Sequence, residues 1–358
     1  MPEARAPKNN EVSQLIDFLD KHLRPGSNWS IDKEYPLVFD DNNLENIKII
    51  MDKDHAVLAH AATKYLITKS TAGLFKVATI GSVLTAPEHR GQGLSNEVLN
   101  SAIQAAEREC ADFAILWTDL FDHYRKLGFE LAGTEWSFVI DNTFSIPTPA
   151  GLRILKSNRV DPQAILKVYS QHTCNSIRTS EEIRRYLQIP NANVYTAWAA
   201  DNRLVAYAIE GKGADLQGYI HEWGGGVNEL MSLFSHIRND LNKPITILVP
   251  QTAQNLSHQL QTHATTIHQG FLGMIRIVSE DLFFLKVHRH ARRMGVKNFV
   301  LEKKSDKYLV GTTTDTVILN SCNELVRLIF GPLNQDDLTP EFQKLFPIPL
   351  WIWGWDSI

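Results

Sequence analysis

The run Ile80-Gly81-Ser82-Val83-Leu84-Thr85-Ala86-Pro87-Glu88-His89-Arg90-Gly91-Gln92-Gly93-Leu94-Ser95 decides the fold. Apolar and β-branched residues extend to Thr85, and Pro87 closes the strand they form. A short turn bearing Arg90 and two glycines follows, and apolar residues at helical spacing begin at Leu94. Glycine lets a backbone turn tightly and approach a ligand closely. The first N–H groups of a helix have no partner within it, and the helix dipole is positive at that end. A strand that passes through such a turn into a helix therefore builds an anion site, and a pyrophosphate is its natural guest.

The flanks support this order. Upstream, Phe75 to Leu84 reads as a strand with Val77, Ile80, Val83 and Leu84 apolar. Downstream, Leu94, Val98, Leu99, Ala102, Ile103 and Ala106 form one helical face, while Asn96, Asn100, Gln104 and Glu107 form the other. Phe113-Ala114-Ile115-Leu116-Trp117 is a second strand of buried type, and it leads into His123-Tyr124-Arg125-Lys126-Leu127-Gly128-Phe129.

Arg90-x-x-Gly93-x-Ser95 resembles the Arg/Gln-x-x-Gly-x-Gly/Ala loop with which GNAT acetyltransferases hold the pyrophosphate of acetyl-coenzyme A. Tyr124-x-x-x-Gly128-Phe129 resembles the Tyr-x-x-x-Gly-Phe segment after that family's fifth strand. A lone glycine pattern is weak and fits an ordinary tight turn; two motifs in the family order carry more. Ser95 departs from the usual Gly or Ala but is small enough for the loop. The resemblance covers roughly residues 1–150. It implies acetyl-coenzyme A as cosubstrate, with no metal. Backbone N–H groups of Val83 and Thr85 would hold the pantetheine arm, and Arg90, Gly91, Gln92, Gly93, Leu94 and Ser95 the pyrophosphate. It also implies Tyr124 as general acid, since a phenol is protonated at neutral pH and can give its proton to a thiolate. The alternative for Tyr124 is plain ring packing. The general base stays open, because no Glu stands in the strand before the loop and Glu88 reads as solvated.

The rest of the chain frames these motifs. A length of 358 residues suggests two or three domains. With 44% hydrophobic and 21% charged residues, the chain is neither disordered nor fibrous. Its formal charge of −4 argues against nonspecific nucleic-acid binding. No apolar run approaches a membrane span, and Ala4 to Asn10 is too polar for a signal peptide. Cys110, Cys174 and Cys322 lie too far apart in sequence for a disulfide framework or a zinc site, so a cytoplasmic setting is expected.

The expected architecture is α/β with mixed sheets in three parts. Residues 1–148 form a catalytic GNAT domain, starting with a helix on Val12, Leu15, Ile16, Leu19 and Leu23 and a hairpin over 55–68 and 75–84. A linker at Pro147-Thr148-Pro149-Ala150-Gly151 ends it. In 149–278 the pattern repeats, with a capped helix at Asp161-Pro162, a hairpin turning at Asp201-Asn202, and a helix opened by Gly224-Gly225-Gly226. No Arg or Gln precedes those glycines in the family register, so this unit reads as degenerate. Residues 279–358 form a small α/β extension, with a helix capped by Ser321-x-x-Glu324 and ended by Gly331. This arrangement resembles the enhanced-intracellular-survival type of acetyltransferase, whose tail is sterol-carrier-like.

Phe346 to Ile358 carries three Trp residues and would be costly to leave in water. In the enhanced-survival enzymes, as in the N-myristoyltransferases, the terminal carboxylate lies in the active site and acts as base. The resemblance implies that role for Ile358; a tail that merely seals a domain interface is the alternative. Lys286 to Arg293 reads as the solvated face of a helix, and Asp40-Asp41 as a solvated loop.

The expected function is acetyl-coenzyme A-dependent N-acetyl transfer by direct attack in a ternary complex. The acceptor would be a small-molecule or peptide amine held between the two GNAT-like units. Another acyl-coenzyme A donor, or a noncatalytic coenzyme A sensor or scaffold, are the rival readings. No nucleic-acid or membrane partner is expected, and a homo-oligomer is compatible with the sequence.

Overall fold

The computed structural model describes residues 3–312, 316–334 and 338–358. Helix α1 (Val12–Leu23) turns Leu15 and Leu19 inward and stops before Pro25-Gly26, where Gly26 is left-handed at φ 80°. A short α2 (Ile31–Glu34) leads to β1 (Ile47–Met51), β2 (Val57–Ser70) and β3 (Gly73–Thr85), and the loop then opens α3 (Leu94–Arg108). Next come β4 (Phe113–Leu116), α4 (Phe121–Arg125), β5 (Glu130–Ala132) and β6 (Glu135–Ile140).

The second half repeats this grammar. It runs through β7 (Arg153–Lys156), α5 (Pro162–Tyr169), β8 (Asn175–Ser176), α6 (Ser180–Tyr186), β9 (Asn193–Trp198), β10 (Leu204–Lys212) and β11 (Asp215–Gly225). Helix α7 (Val227–Leu241), β12 (Ile245–Pro250), α8 (Gln254–Gln261), β13 (Thr266–Gly270) and β14 (Gly273–Ile277) complete it. The extension holds α9 (Glu280–Arg293), a three-stranded sheet of β15 (Val300–Lys304), β16 (Lys307–Gly311) and β17 (Thr316–Leu319), then α10 (Cys322–Phe330) and α11 (Pro340–Leu345). The caps behave as their residues dictate: Gln163 N–H donates to the Asp161 carboxylate at 3.0 Å, and Glu324 N–H to Ser321 Oγ at 3.2 Å.

Each half builds an antiparallel run that ends in one parallel pair, β3 with β4 and β11 with β12. The two sheets then exchange strands. The first has the order β1-β2-β3-β4-β14-β5, with β8 added at β2, so β14 comes from the second half. The second has the order β13-β6-β12-β11-β10-β9-β7, so β6 comes from the first. Gly133-Thr134 alone separates β5 from β6, and the chain changes sheet there. The sheets are therefore not divided at the proline-bearing linker near 148; each half is completed by a strand of the other. No helix among the described residues is long and apolar enough to cross a membrane.

The aromatic terminus is interior. Trp351, Trp353 and Trp355 are each at most 2% exposed. Burying a Trp removes on the order of 200 Å² from water, worth roughly 5 kcal/mol as an upper bound. Two features read as solvated are partly docked. Lys286 pairs with buried Asp112 at 2.6 Å, and His290 on the same helix is buried and donates to the Leu345 carbonyl. Asp40 pairs with Arg185 of α6 at 2.5 Å. The apolar stripe of α9 draws its basic flank onto the first sheet, and α6 brings a cation to the Asp40 loop.

Candidate active site

Strands β3 and β4 pair only from Val77–Phe113 to Thr79–Ile115, and beyond that point they diverge. The β2–β3 register also slips between His60 and Ala62, where Ser82 adopts φ 51°. His60 Nδ1–H donates to the Ser82 carbonyl at 2.7 Å and holds this bulge. A bulge next to a splayed pair leaves strand backbone free for a ligand. Gly91 (φ 77°) and Gly93 (φ 80°) are both left-handed, and Gly93 is the N-cap of α3. A Cβ on either would meet nothing within 4 Å, so the loop faces open space.

The resulting cleft has a volume of about 490 Å³. It brings together Val83, Thr85, Arg90, Gly91, Gly93, Leu94 and Ser95 with Tyr124. Gln92 is exposed and not among its lining residues. The cleft suits an acyl-coenzyme A: an exposed Arg90 and a helix N-terminus offer positive charge at one end. Thr85 Oγ1 is buried with no hydrogen-bond partner among the described residues, an unmet polar group on the cleft wall. Among the described residues no group of three or more His, Cys, Asp or Glu could hold a metal ion.

The Tyr124-x-x-x-Gly128-Phe129 pattern now has a physical reason. Gly128 at φ 80° ends α4, and the N–H groups of Leu127 and Phe129 both donate to the Tyr124 carbonyl. Phe129 then packs edge-on against the Tyr124 ring at 6.1 Å. Burial raises the Tyr124 pKa, so the phenol keeps its proton.

Ile358 meets β3 at Gly81. A Cβ placed on Gly81 would fall 2.3 Å from the Ile358 carbonyl carbon and 2.4 Å from its oxygen, so only glycine lets it approach there. Three supports set that position. Lys212 Nζ donates to the Gly354 carbonyl at 2.9 Å and the Ser357 carbonyl at 2.5 Å. Gly354 packs against His221, and its N–H donates to the His221 carbonyl at 3.2 Å. Asp356 is 1% exposed and accepts from Arg178 Nη2 at 2.7 Å, from Tyr186 at 3.0 Å and from Ser176. Burial alone would raise the Asp356 pKa, but the Arg178 charge and these hydrogen bonds outweigh it and lower it. Arg178 also holds Glu222 through two hydrogen bonds and stacks 4.0 Å over Tyr169.

Beside Ile358 lies a pocket of about 300 Å³ walled by both halves. Tyr35 and Trp117 come from the first, Lys212 and His221 from the second, and Trp351 from the tail. Glu135, at the start of the exchanged β6, also lines it, and burial pushes its pKa up to about 7. Glu135, Lys212 and Arg178 were not singled out from the sequence. The only local hint was an acid opening the apolar strand Glu135-Trp136-Ser137-Phe138.

The matching place in the second half differs. Glu229 folds back over Gly226 at the N-terminus of α7, putting a carboxylate where the first half offers free N–H groups. His172 and Trp353, whose tilted rings have centroids 4.2 Å apart, line the cleft next to it.

Residues 4–132 match the family model of the GNAT acetyltransferase domain. No curated protein matches the chain. Among solved structures, a probable N-acyltransferase of Enterococcus faecalis, a conserved protein of unknown function, superposes with a TM-score of 0.71 at 12% identity, covering 100% of both chains. A GCN5-related N-acetyltransferase from Anabaena variabilis gives 0.66 at 15% identity over 100% of both. Eis1 from Mycobacterium abscessus gives 0.62 at 10% identity, over 99% of this chain and 100% of its own. At such identities the likeness is one of fold, and it spans the whole chain. Residues 4–132 therefore match the GNAT acetyltransferase domain, and the chain as a whole shares its fold with these GNAT-type structures.

Proposed function

We propose that the protein moves an acetyl group from acetyl-coenzyme A to a primary amine by direct attack in a ternary complex. One observation carries this reading: the coenzyme-type cleft and the Ile358 terminus converge on the same strand, β3, from either side of its bulge. Arg90 and the first N–H groups of α3 would hold the pyrophosphate. The N–H groups of Val83 and Thr85 would align the pantetheine arm along the splayed edge of β3. Bound this way, the thioester carbonyl sits near the bulge, where a backbone donor can stabilise charge developing on its oxygen.

The Ile358 carboxylate takes the proton that the amine nitrogen must shed, directly or through one water. The new N–C bond forms as the C–S bond breaks, and Tyr124 gives its proton to the departing thiolate. The amine enters between the two halves, through the pocket beside Ile358. Cys110 is exposed at the far end of α3, away from the cleft lining, so no acetyl-cysteine step is invoked.

Calorimetric titration with acetyl-coenzyme A tests this. Micromolar binding, about −8 kcal/mol, should vanish in Arg90→Glu. Absence of binding in the native protein would refute the proposal, and tight binding without turnover on any amine would favour a sensor.

A further inference from the structure

Glu135 lines the pocket beside Ile358, yet no hydrogen bond or ion pair reaches its carboxylate among the described residues. Burial is the sole cause of its raised pKa, which means that no cation of the protein compensates it. The other charged side chains of the same wall are matched. Lys212 donates to backbone carbonyls of the tail, and Asp215 accepts from Arg24 at 2.9 Å and from Tyr35 at 2.5 Å. The remaining wall is largely apolar, with Trp117, Leu248, Leu272 and Trp351. Trp117 is fixed there by its N–H, which donates to the Leu272 carbonyl at 2.7 Å.

A half-buried carboxylate that no cation of the protein faces is costly to keep ionised unless a ligand supplies the opposite charge. At about 300 Å³ the pocket is also at the small end of ligand clefts, which fits a short chain better than a saccharide or a folded peptide.

We propose that Glu135 is the specificity-determining residue of the acceptor pocket and that the acceptor is a short aliphatic diamine. One nitrogen reaches the Ile358 carboxylate, loses a proton to it and forms the N–C bond as the thioester C–S bond breaks. The other stays an ammonium against Glu135, with the methylenes between Trp117 and Trp351. This rests on the acetyl-transfer reading above.

The test compares putrescine with n-pentylamine, which has the same number of heavy atoms but one charge. Kinetics with acetyl-coenzyme A and calorimetry without it would be run on the native protein and on Glu135→Gln. A charged hydrogen bond predicts a preference for putrescine of roughly 10–100-fold in both readouts. Glu135→Gln should bring the two amines to near parity by raising the KM and Kd of putrescine. Equal handling of both amines by the native protein, or a preference that survives Glu135→Gln, overturns the diamine proposal while leaving acetyl transfer intact. Failure to bind acetyl-coenzyme A sinks acetyl transfer instead, and the calorimetric comparison of the amines still decides the role of Glu135.

Discussion

Tyr124 has a task only because of where its neighbours put it. Gly128 turns the chain back so that Phe129 wedges the phenol ring, and burial keeps the hydroxyl protonated well into the alkaline range. Removing the hydroxyl should therefore leave cofactor binding alone and slow the step in which the thiolate departs. Tyr124→Phe is expected to lower kcat by roughly 10²-fold or more, with the acetyl-coenzyme A KM little changed, as read by thiol release. An unchanged kcat would reduce Tyr124 to a packing residue. The motif itself was legible at this scale, because glycine at a helix end and apolar spacing are local properties. Glu135, Lys212 and Arg178 were not. Arg178 meets Asp356 across 178 positions, and no local pattern announces such a pair.

At the scale of elements, β3 is the meeting point. Its bulge and its divergence from β4 open the donor cleft, and the bare Cα of Gly81 receives Ile358. Gly81→Ala places a methyl group where Ile358 now lies, and the two must move apart, Gly81 being held by its pairing with Ala62 of β2. A shift of about 1 Å at a reacting group is worth roughly 10²-fold in rate. We expect kcat to fall by that order while the calorimetric affinity for acetyl-coenzyme A persists. Strands β3, β4 and β12 and helices α3 and α7 were readable from apolar periodicity. The exchange of β6 and β14 was not, because two short strands joined to their predecessors by two residues read as hairpins. Only pairing partners more than a hundred residues away reveal which sheet each one enters.

Across the whole molecule, the tail and the exchanged strands bury groups that make folding sensitive to acid. Burial lowers the pKa of His60 and His172 to about 4 and of His221 to about 3, from 6.5. These three are neutral in the folded protein but take up protons in the unfolded chain below 6.5, so their contribution is lost as pH falls. Glu135 acts oppositely: its pKa is raised from 4.5 to about 7, so the folded state holds more protons there and gains as pH falls through 7. His290 and the lowered carboxyls of Glu11, Asp240 and Asp356 act with these histidines, Asp112 and Glu222 act with Glu135, and the first set is the larger. Stability should fall from pH 6.5 towards 4.5 by at most about 3 kcal/mol per pH unit, seen as a dropping Tm. A Tm that is flat across that range would contradict the buried, neutral state of these histidines.

Free-thiol release from acetyl-coenzyme A on adding putrescine or another primary amine, followed in parallel for the native protein and for a variant with one glycine added after Ile358, joins both halves of the proposal in one assay. The native protein should turn over, and the extended variant should bind acetyl-coenzyme A with native affinity yet turn over roughly 10²-fold more slowly. Equal turnover by the two proteins, or none by the native protein on any amine, would contradict it.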